Sequence, residues 1–383
     1  SPFLPDEALP PQVATRKVMR PGPIYPGDWG MAQVLHFPAG VYWLEPKGQS
    51  RILLDPATQW VHFDAGAYVK GAIEYTSEAP RFAATGHGVL SGEHYVYQAN
   101  PLESYNSVKS DETSLRMWRH NHVVNGQSFL LRGPTLVAPP FNSMDLFGPG
   151  SGSVHISDYK QVGAWWFQTD GPEMGTWELG SWVMRSPGSR VQDVFYHVND
   201  DALKLYSSNV TVQNATIWKC HNDPIIQMGW AVRDISNVSI AGVHIIHTRY
   251  NTKPNDVVPQ AIIGVSNGGG EVQPNVTLYA NISDVVCEGV CPALLHISPL
   301  QSYQLAIHGV AYPNRLPTGQ IAQGRSEVRP TSSGVSATMA LEIVDWTVGK
   351  ELVTMKNFQS NQLGQFDIAA QYWGQWNISS SES

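Results

Sequence analysis

The chain has 383 residues and a formal net charge of −8, and only 15% of its residues are charged, against roughly 25% in an average soluble domain. The acidic balance supplies no basic stripe for phosphates, which excludes nucleic acid as the expected partner, while a neutral polymer fits. No run of about 18 apolar residues occurs, so no membrane-spanning helix is expected. With 34 Gly, 27 Pro and 10% aromatics, the composition points to many short strands and turns around a core.

Residues 1–20 are Pro-rich and read as an extended lead-in, with "LHFPAGVYWL" (35–44) expected to open the regular part of the chain. Short β-rich runs follow in order: "RILLD", "WVHFDAGAYVKGAIEY", "FAATGHGVLSG", "SFLLRGPTLVAP", "VHISDYKQVGAWWF", "VQDVFYHV", "VTVQNATIW", "VSIAGVHII", "VTLYANISDVVC", "LAIHGVAY" and "MALEIVDWTV". Two of these match in form: "NVTVQNATI" starts at Asn209 and "NVSIAGVHI" at Asn237, and 237 − 209 gives a step of 28. Repeats of about 20–50 residues mark a solenoid or a propeller. Asn-Gly hairpin signals are scarce, the one at Asn125 and Gly126 being isolated. Strands without hairpins stack in parallel, coil upon coil. The expected fold is therefore an all-β solenoid, a parallel β-helix whose inward residues form one continuous core. A β-propeller is the alternative, but no blade signature is seen. No clean linker interrupts the pattern, so a single domain is expected over 1–383, with a frayed polar tail at 377–383.

Cys287 and Cys291 lie four apart in "VVCEGVCPALL", and a local disulfide closing a tight turn is expected; two free buried thiols are the alternative. Asn-x-Ser/Thr sequons begin at Asn209, Asn214, Asn237, Asn275, Asn281 and Asn377. Together with the bridge they favour a secreted glycoprotein, although Asn is also common at strand turns. The chain opens with Ser and has no signal-type apolar stretch, so it reads as processed or as a fragment.

The strongest chemical constellation is acidic. "WWFQTDGPE" places Asp170 and Glu173 after an aromatic strand end, and "HVNDDALKLY" places Asp200 and Asp201 at a similar point one repeat later. Stacked strands are about 4.8 Å apart, so equivalent points on adjacent rungs bring carboxylates together. Glycoside hydrolysis needs such a group: one acid protonates the leaving oxygen, and another carboxylate handles water or attacks the sugar. A hydrogen-bonded Asp turn is the plainer reading of an isolated Asp-Asp pair. In a straight strand Asp200 and Asp201 would face opposite ways, so a bend is expected, which the Asn in "VNDD" would ease. "WKCHNDPIIQMGW" extends the polar patch with His221, Asn222 and Asp223. Lys204 and Tyr206 follow the Asp pair, and Arg249 and Tyr250 come one repeat further in "HTRYNTK". Trp166, Trp218, Trp230 and Tyr250 are candidates for stacking on sugar rings, although each alone is more often a core aromatic. No phosphate-cradle loop, nucleophile elbow or metal constellation stands out, and "SNGGGE" (266–271) reads as a flexible loop.

"FDAGAYVKGAIEY", "ATGHGVLSGEHYVYQAN", "SLRMWRHN", "APPFNSMD", "ISDYKQVGAWWFQTDGPE", "DVFYHVNDDALKLY", "WKCHNDPIIQMGW", "IIHTRY", "VVCEGVCP" and "LGQFDI" together resemble glycoside hydrolase family 49, the fungal endo-dextranases, over nearly the whole chain. The resemblance implies a right-handed parallel β-helix and an endo-acting, inverting hydrolase of the α-1,6-glucosidic bonds of dextran. It implies Asp200 as general acid, with Asp170 and Asp201 orienting and deprotonating water. Glu173, Lys204, Tyr206, His221, Asn222, Asp223, Trp230, Arg249 and Tyr250 are the expected substrate-binding residues. It implies no cofactor and a monomer acting on a neutral α-glucan outside the cell. Isopullulanase is a more distant relative, and the motifs "QTDGPE", "HVNDD" and "WKCHND" look like the dextranase form. A non-catalytic carbohydrate-binding β-helix and a pectin hydrolase are further alternatives, the latter weakened by the acidic balance. Two departures stand out. The family carries a β-sandwich domain before the helix, and this chain is expected to begin where that domain ends. The stretch "MGTWELGSWVM" (174–184) looks like an insertion beside Asp170, expected to narrow or block the cleft, an artefact of how the gene was read being the alternative.

Overall fold

A computed structural model describes residues 9–12, 15–45, 51–97, 115–178, 184–220, 222–248, 261–265, 273–288, 293–297, 301–312, 327–328, 339–348 and 351–360. All regular structure among them is strand, and none of it is a helix long and apolar enough to cross a membrane. The chain divides into two compact units, Ser1–His197 and Val198–Ser383.

In the first unit the strands form three parallel ladders. One runs through Arg16–Val18, Val34–Phe37, Trp60–Phe63, Arg81–Gly86, Ser128–Arg132, Ser153–Ser157 and the start of Ser189–Val198. A second runs through Gly22–Ile24, Gly40–Leu44, Ala67–Lys70, Val89–Ser91, Thr135–Val137 and Lys160–Val162. The third stacks Arg51–Leu53, Ala72–Tyr75, Trp118–His120, Met144–Gly148 and Thr176–Glu178. The ladder therefore begins at Arg16, one rung before the expected start. Asn125 and Gly126 form a turn that passes from one ladder to another and joins no hairpin.

Parallel register lines identical positions into columns. Leu35, Val61, Ala84, Leu131, Ile156 and Val191 are successive partners, all at most 1% exposed. Ile52, Ile73, Trp118 and Met144 make an equivalent fully buried column on the third ladder. Each such side chain contributes about 1.5–3 kcal/mol on leaving water. Rings stack along the same direction, Phe37 on Phe63 at 5.4 Å and Phe82 on Phe129 at 4.7 Å between centroids. Gly86 is fixed by this stacking: its φ is +112°, and an added Cβ would lie 1.9 Å from the Phe63 carbonyl oxygen.

In the second unit the strands lengthen. Val210–Lys219, Val238–Thr248, Gln273–Cys287, Gln301–Tyr312 and Met339–Val348 stack in parallel, and Glu351–Ser360 closes the set antiparallel. A second ladder holds Leu203–Lys204, Ile226–Gln227, Ala261–Val265, Ala293–Ile297 and Glu327–Val328. The core column here is Val212, Ile240, Ile282 and Ile307, each 0% exposed.

The long strands turn a corner in their middle. Asn214, Gly242, Asp284 and Gly309 occupy matching places on successive rungs, all with left-handed φ between 53° and 70°. Asn and Asp tolerate that region and Gly enters it freely. Asn209 and Asn237 form a second aligned pair, with φ of 59° and 55°, and the Asn237 amide donates to Asn209 Oδ1 at 2.9 Å. Three of the six sequon asparagines are thus corner residues, and their placement has a conformational reason independent of glycans.

Of the stretch 174–184, residues 174–178 and 184 are built into the first unit, and 179–183 lie outside the described residues. Thr176–Glu178 extends the third ladder, with Trp177 beside Phe147, and Met184–Arg185 returns antiparallel to it. Thr176 Oγ1 accepts from Gly152 N at 3.0 Å and donates to the Gly150 carbonyl at 3.2 Å. Met174, Thr176 and Trp177 are buried, so the segment fills the role of a rung strand.

Candidate active site

The strand Ser189–Val198 ends just before the Asp pair, and the backbone bends at Asn199 and Asp200. The expected bend is therefore present. Asn199 reaches it without entering the left-handed region, so its dihedral tolerance is not the cause. The cause is a set of backbone captures: Cys220 N donates to the Val198 carbonyl at 2.8 Å and Asn222 N to the Asn199 carbonyl at 3.0 Å. Lys219, 2% exposed, places its ammonium on the carbonyls of Asn199, at 2.6 Å, and Asn222. A buried cation stays charged only where such acceptors surround it.

The bend turns both carboxylates the same way. Asp200 and Asp201 each offer an oxygen within 4.8 Å of the other, and they are 6% and 2% exposed. Their surroundings differ. Asp200 accepts from the Asp201 amide at 2.8 Å and from Asn222 Nδ2 at 2.5 Å. Asp201 accepts from the Tyr206 hydroxyl at 2.8 Å and from Gln227 Nε2 at 3.3 Å. Gln227 lies on the strand Ile226–Gln227, in register with Lys204. The guanidinium of Arg233 lies 4.4 Å from the Tyr206 ring centroid, and Arg233 is locked to Gln301 by two backbone bonds of 2.7 and 2.6 Å.

Of the other expected binding residues in this unit, Lys204, Tyr206 and Asn222 are buried at 2%, 4% and 3%, with Tyr206 and Asn222 bonded to the two carboxylates. Asp223 is buried with a left-handed φ of 56°. Trp230 and Trp218 are 38% and 40% exposed, Trp218 tilted against His247 at 5.1 Å. His221, Arg249 and Tyr250 lie outside the described residues.

In the first unit Asp170 is 7% exposed at the end of an aromatic loop. Gln161 Nε2 donates to its carbonyl at 2.8 Å. Asn142, with its amide turned to satisfy both partners, donates to Asp170 Oδ1 at 2.9 Å and to the Gln168 carbonyl at 3.2 Å. Tyr97 stacks on Trp166 at 5.8 Å and donates to Gln168 Oε1 at 2.8 Å, which pins the loop. Trp165 and Phe167 are the exposed aromatics here, at 63% and 48%, and Trp165 packs edge-on against His197 at 5.8 Å. Trp166, expected as a platform, packs instead. Glu173 is buried at 2%. Sequence reasoning passed over Asn142, Gln161, Lys219 and Gln227; each is an amide or amine beside a candidate motif, and only the folded register shows that they reach a carboxylate or its backbone.

The strands define a parallel β-solenoid, and two closely set, buried aspartates lie on it. The chain belongs to glycosyl hydrolase family 49: that family's model matches residues 267–379, and models of solenoid repeats from isopullulanase and from dextranase match 218–250 and 140–171. It is 51% identical to a dextranase of Talaromyces minioluteus, over 99% of this chain and 62% of the relative. It is 39% identical to an isopullulanase of Aspergillus niger, over 74% of this chain and 50% of that relative. The solved structure of Dex49A from Penicillium minioluteum matches with a TM-score of 0.83 and 50% identity, covering 98% of this chain and 65% of that one. The chain thus spans less than two thirds of the length of these relatives.

Proposed function

We propose that the chain hydrolyses internal α-1,6-glucosidic bonds of dextran. The observation that carries this reading is the bend at Asn199, which sets two buried carboxylates side by side in different hydrogen-bonding surroundings. Identity of 51% to a dextranase supports the substrate. In this reading Asp200 protonates the leaving oxygen, and Asp201 and Asp170 orient and deprotonate the attacking water. Asp201 is oriented by the Tyr206 hydroxyl and Gln227 Nε2. Asp200 accepts from the Asp201 amide and from Asn222 Nδ2, which fix its direction. Trp165, Trp218 and Trp230 offer exposed ring faces to glucose units, while Lys204, His221, Asn222, Asp223, Glu173, Arg249 and Tyr250 complete the polar lining. The chain acts as a secreted glycoprotein monomer, with Cys287 bridged to Cys291. Cys287 is fully buried, and Cys291 and the sequon at Asn377 lie outside the described residues.

Inversion is the expected stereochemistry. A separation within 4.8 Å between Asp200 and Asp201 favours a second reading, because retaining pairs sit about 5–5.5 Å apart and inverting pairs about 6.5–9.5 Å. In that reading Asp201 attacks the sugar. The test is digestion of dextran followed by NMR of the first-formed reducing end. A β-anomer supports inversion, an α-anomer supports the covalent route, and no release of reducing ends rejects the hydrolase.

A further inference from the structure

On the first ladder of the first unit, far in sequence from the aspartates, two histidines are register partners. His36, in Val34–Phe37, lies opposite His62, in Trp60–Phe63, and their ring centroids are 5.5 Å apart. Asp64 follows two residues later and reaches both. Its Oδ2 is 2.9 Å from His36 Nε2 and its Oδ1 is 3.5 Å from His62 Nε2. One ligating atom from each of the three lies within 4.8 Å of the others.

We propose that His36, His62 and Asp64 bind a transition-metal ion of the Zn²⁺ type. Two observations set the cluster apart from an ordinary ion pair. First, His36 Nε2 is buried and, among the described residues, makes no hydrogen bond, although the carboxylate is 2.9 Å away. The 2.9 Å contact does not have the geometry of an N–H···O bond. Second, the far side of His62 is already held as a metal ligand requires. Its Nδ1 is 2.9 Å from Thr85 Oγ1, and Trp60 Nε1 donates to that same oxygen at 2.8 Å. An outer-shell contact of this kind fixes the ring and leaves Nε2 as the ligating atom.

Two imidazoles and one carboxylate make the donor set that zinc takes at three-ligand sites, the fourth place going to solvent. At Zn–N and Zn–O lengths of about 2.0–2.2 Å, tetrahedral ligand atoms lie roughly 3.3–3.5 Å apart, so the three groups, now within 4.8 Å, need to close by about 1.5 Å at most. Side chains that are 18% exposed at His36 and 41% at Asp64 leave a path for the ion. A calcium site would need six or more oxygens, which this cluster does not offer.

The test is calorimetric titration of chelator-stripped full chain with Zn²⁺ at pH 7.5, with thermal unfolding in parallel. The expected result is one ion per chain in the micromolar range or tighter, with a rise in Tm. His36→Ala and Asp64→Asn should each weaken uptake at least tenfold, and Thr85→Val should weaken it by about 10–100-fold through the loosened His62 ring. Circular dichroism of the ion-free variants checks that they fold. No uptake by the parent chain, or uptake unchanged in folded His36→Ala and Asp64→Asn, overturns the site, the latter by placing the ion elsewhere.

Discussion

The hydroxyl of Tyr206 donates to Asp201 Oδ2 at 2.8 Å, beneath the guanidinium of Arg233 at 4.4 Å from the same ring. A cation over the ring face strengthens the phenol as a donor. Tyr206 therefore orients Asp201. Tyr206→Phe removes one bond to a charged group, worth about 1.5–3 kcal/mol, and is expected to lower kcat on dextran by roughly 10–100-fold. An unchanged KM should accompany the drop, because substrate contact is kept; a rise in KM with kcat intact would place Tyr206 in binding.

Asp200→Asn removes the transferable proton while keeping the bonds from Asp201 N and much of the shape. The expected loss is about 10²–10⁴-fold in kcat. Full activity in this variant would move the general-acid role to another residue.

Lys219→Met leaves the carbonyls of Asn199 and Asn222 without their cation at a buried bend. Losing a buried hydrogen bond from a charged donor costs about 1.5–3 kcal/mol. Urea unfolding should report the loss, and activity should fall with it because the same bend aims Asp200. A variant of parental stability would show that the bend is held by the backbone bonds of Cys220 and Asn222 alone.

Deleting residues 174–184 tests the role of the segment that the sequence presents as an obstruction. With Trp177 paired beside Phe147 and only 8% exposed, its removal alone should cost about 3–5 kcal/mol. The expected outcome is a lower denaturation midpoint and no gain in hydrolysis. A stable deletion with higher turnover would restore the reading of an insertion that narrows the cleft.

His120 is fully buried, with Nε2 2.8 Å from the Ser77 carbonyl and Nδ1 accepting from His122 N. Both ring nitrogens are thus committed in the neutral tautomer, and burial holds the group below the ordinary histidine range. The unfolded chain binds this proton near pH 6.5, whereas the folded chain binds it only at lower pH. Between those points the unfolded state carries more protons, so stability is full above about 6.5 and declines as pH falls below it. Unfolding curves at pH 7.5 and 5.5 should show a smaller difference in His120→Gln than in the parent chain; equal differences would remove His120 from the account.

The parallel stacking was legible in the sequence because it follows from a scarcity, the missing hairpin signals, together with the repeated form of the Asn209 and Asn237 runs. The aspartates stood out because acids among aromatics are costly without a purpose. What remained hidden depends on register. Lys219 sits between Trp218 and Cys220 like any strand residue, and nothing local says that its amine will cap two carbonyls. Asn142 in "APPFNSMD" reaches Asp170 from 28 positions away (170 − 142), a partnership set by coil length. His36 and His62 are 26 apart (62 − 36) and meet only because Val34–Phe37 and Trp60–Phe63 pair in that register. The exposed ring is Trp165 and not Trp166, a choice made by Tyr97, whose stacking covers the second tryptophan.

The column of Asn214, Gly242, Asp284 and Gly309 has a consequence for how such a chain changes over generations. A residue gained or lost within a long strand would shift the corner out of line with the rungs above and below it. Length variation is therefore filtered: it is tolerated in the connecting loops, or as entire coils, and purged in between. Lineages of this fold should differ by loop size and by number of turns, while the five-residue step from Asn209 to Asn214 and from Asn237 to Gly242 stays constant.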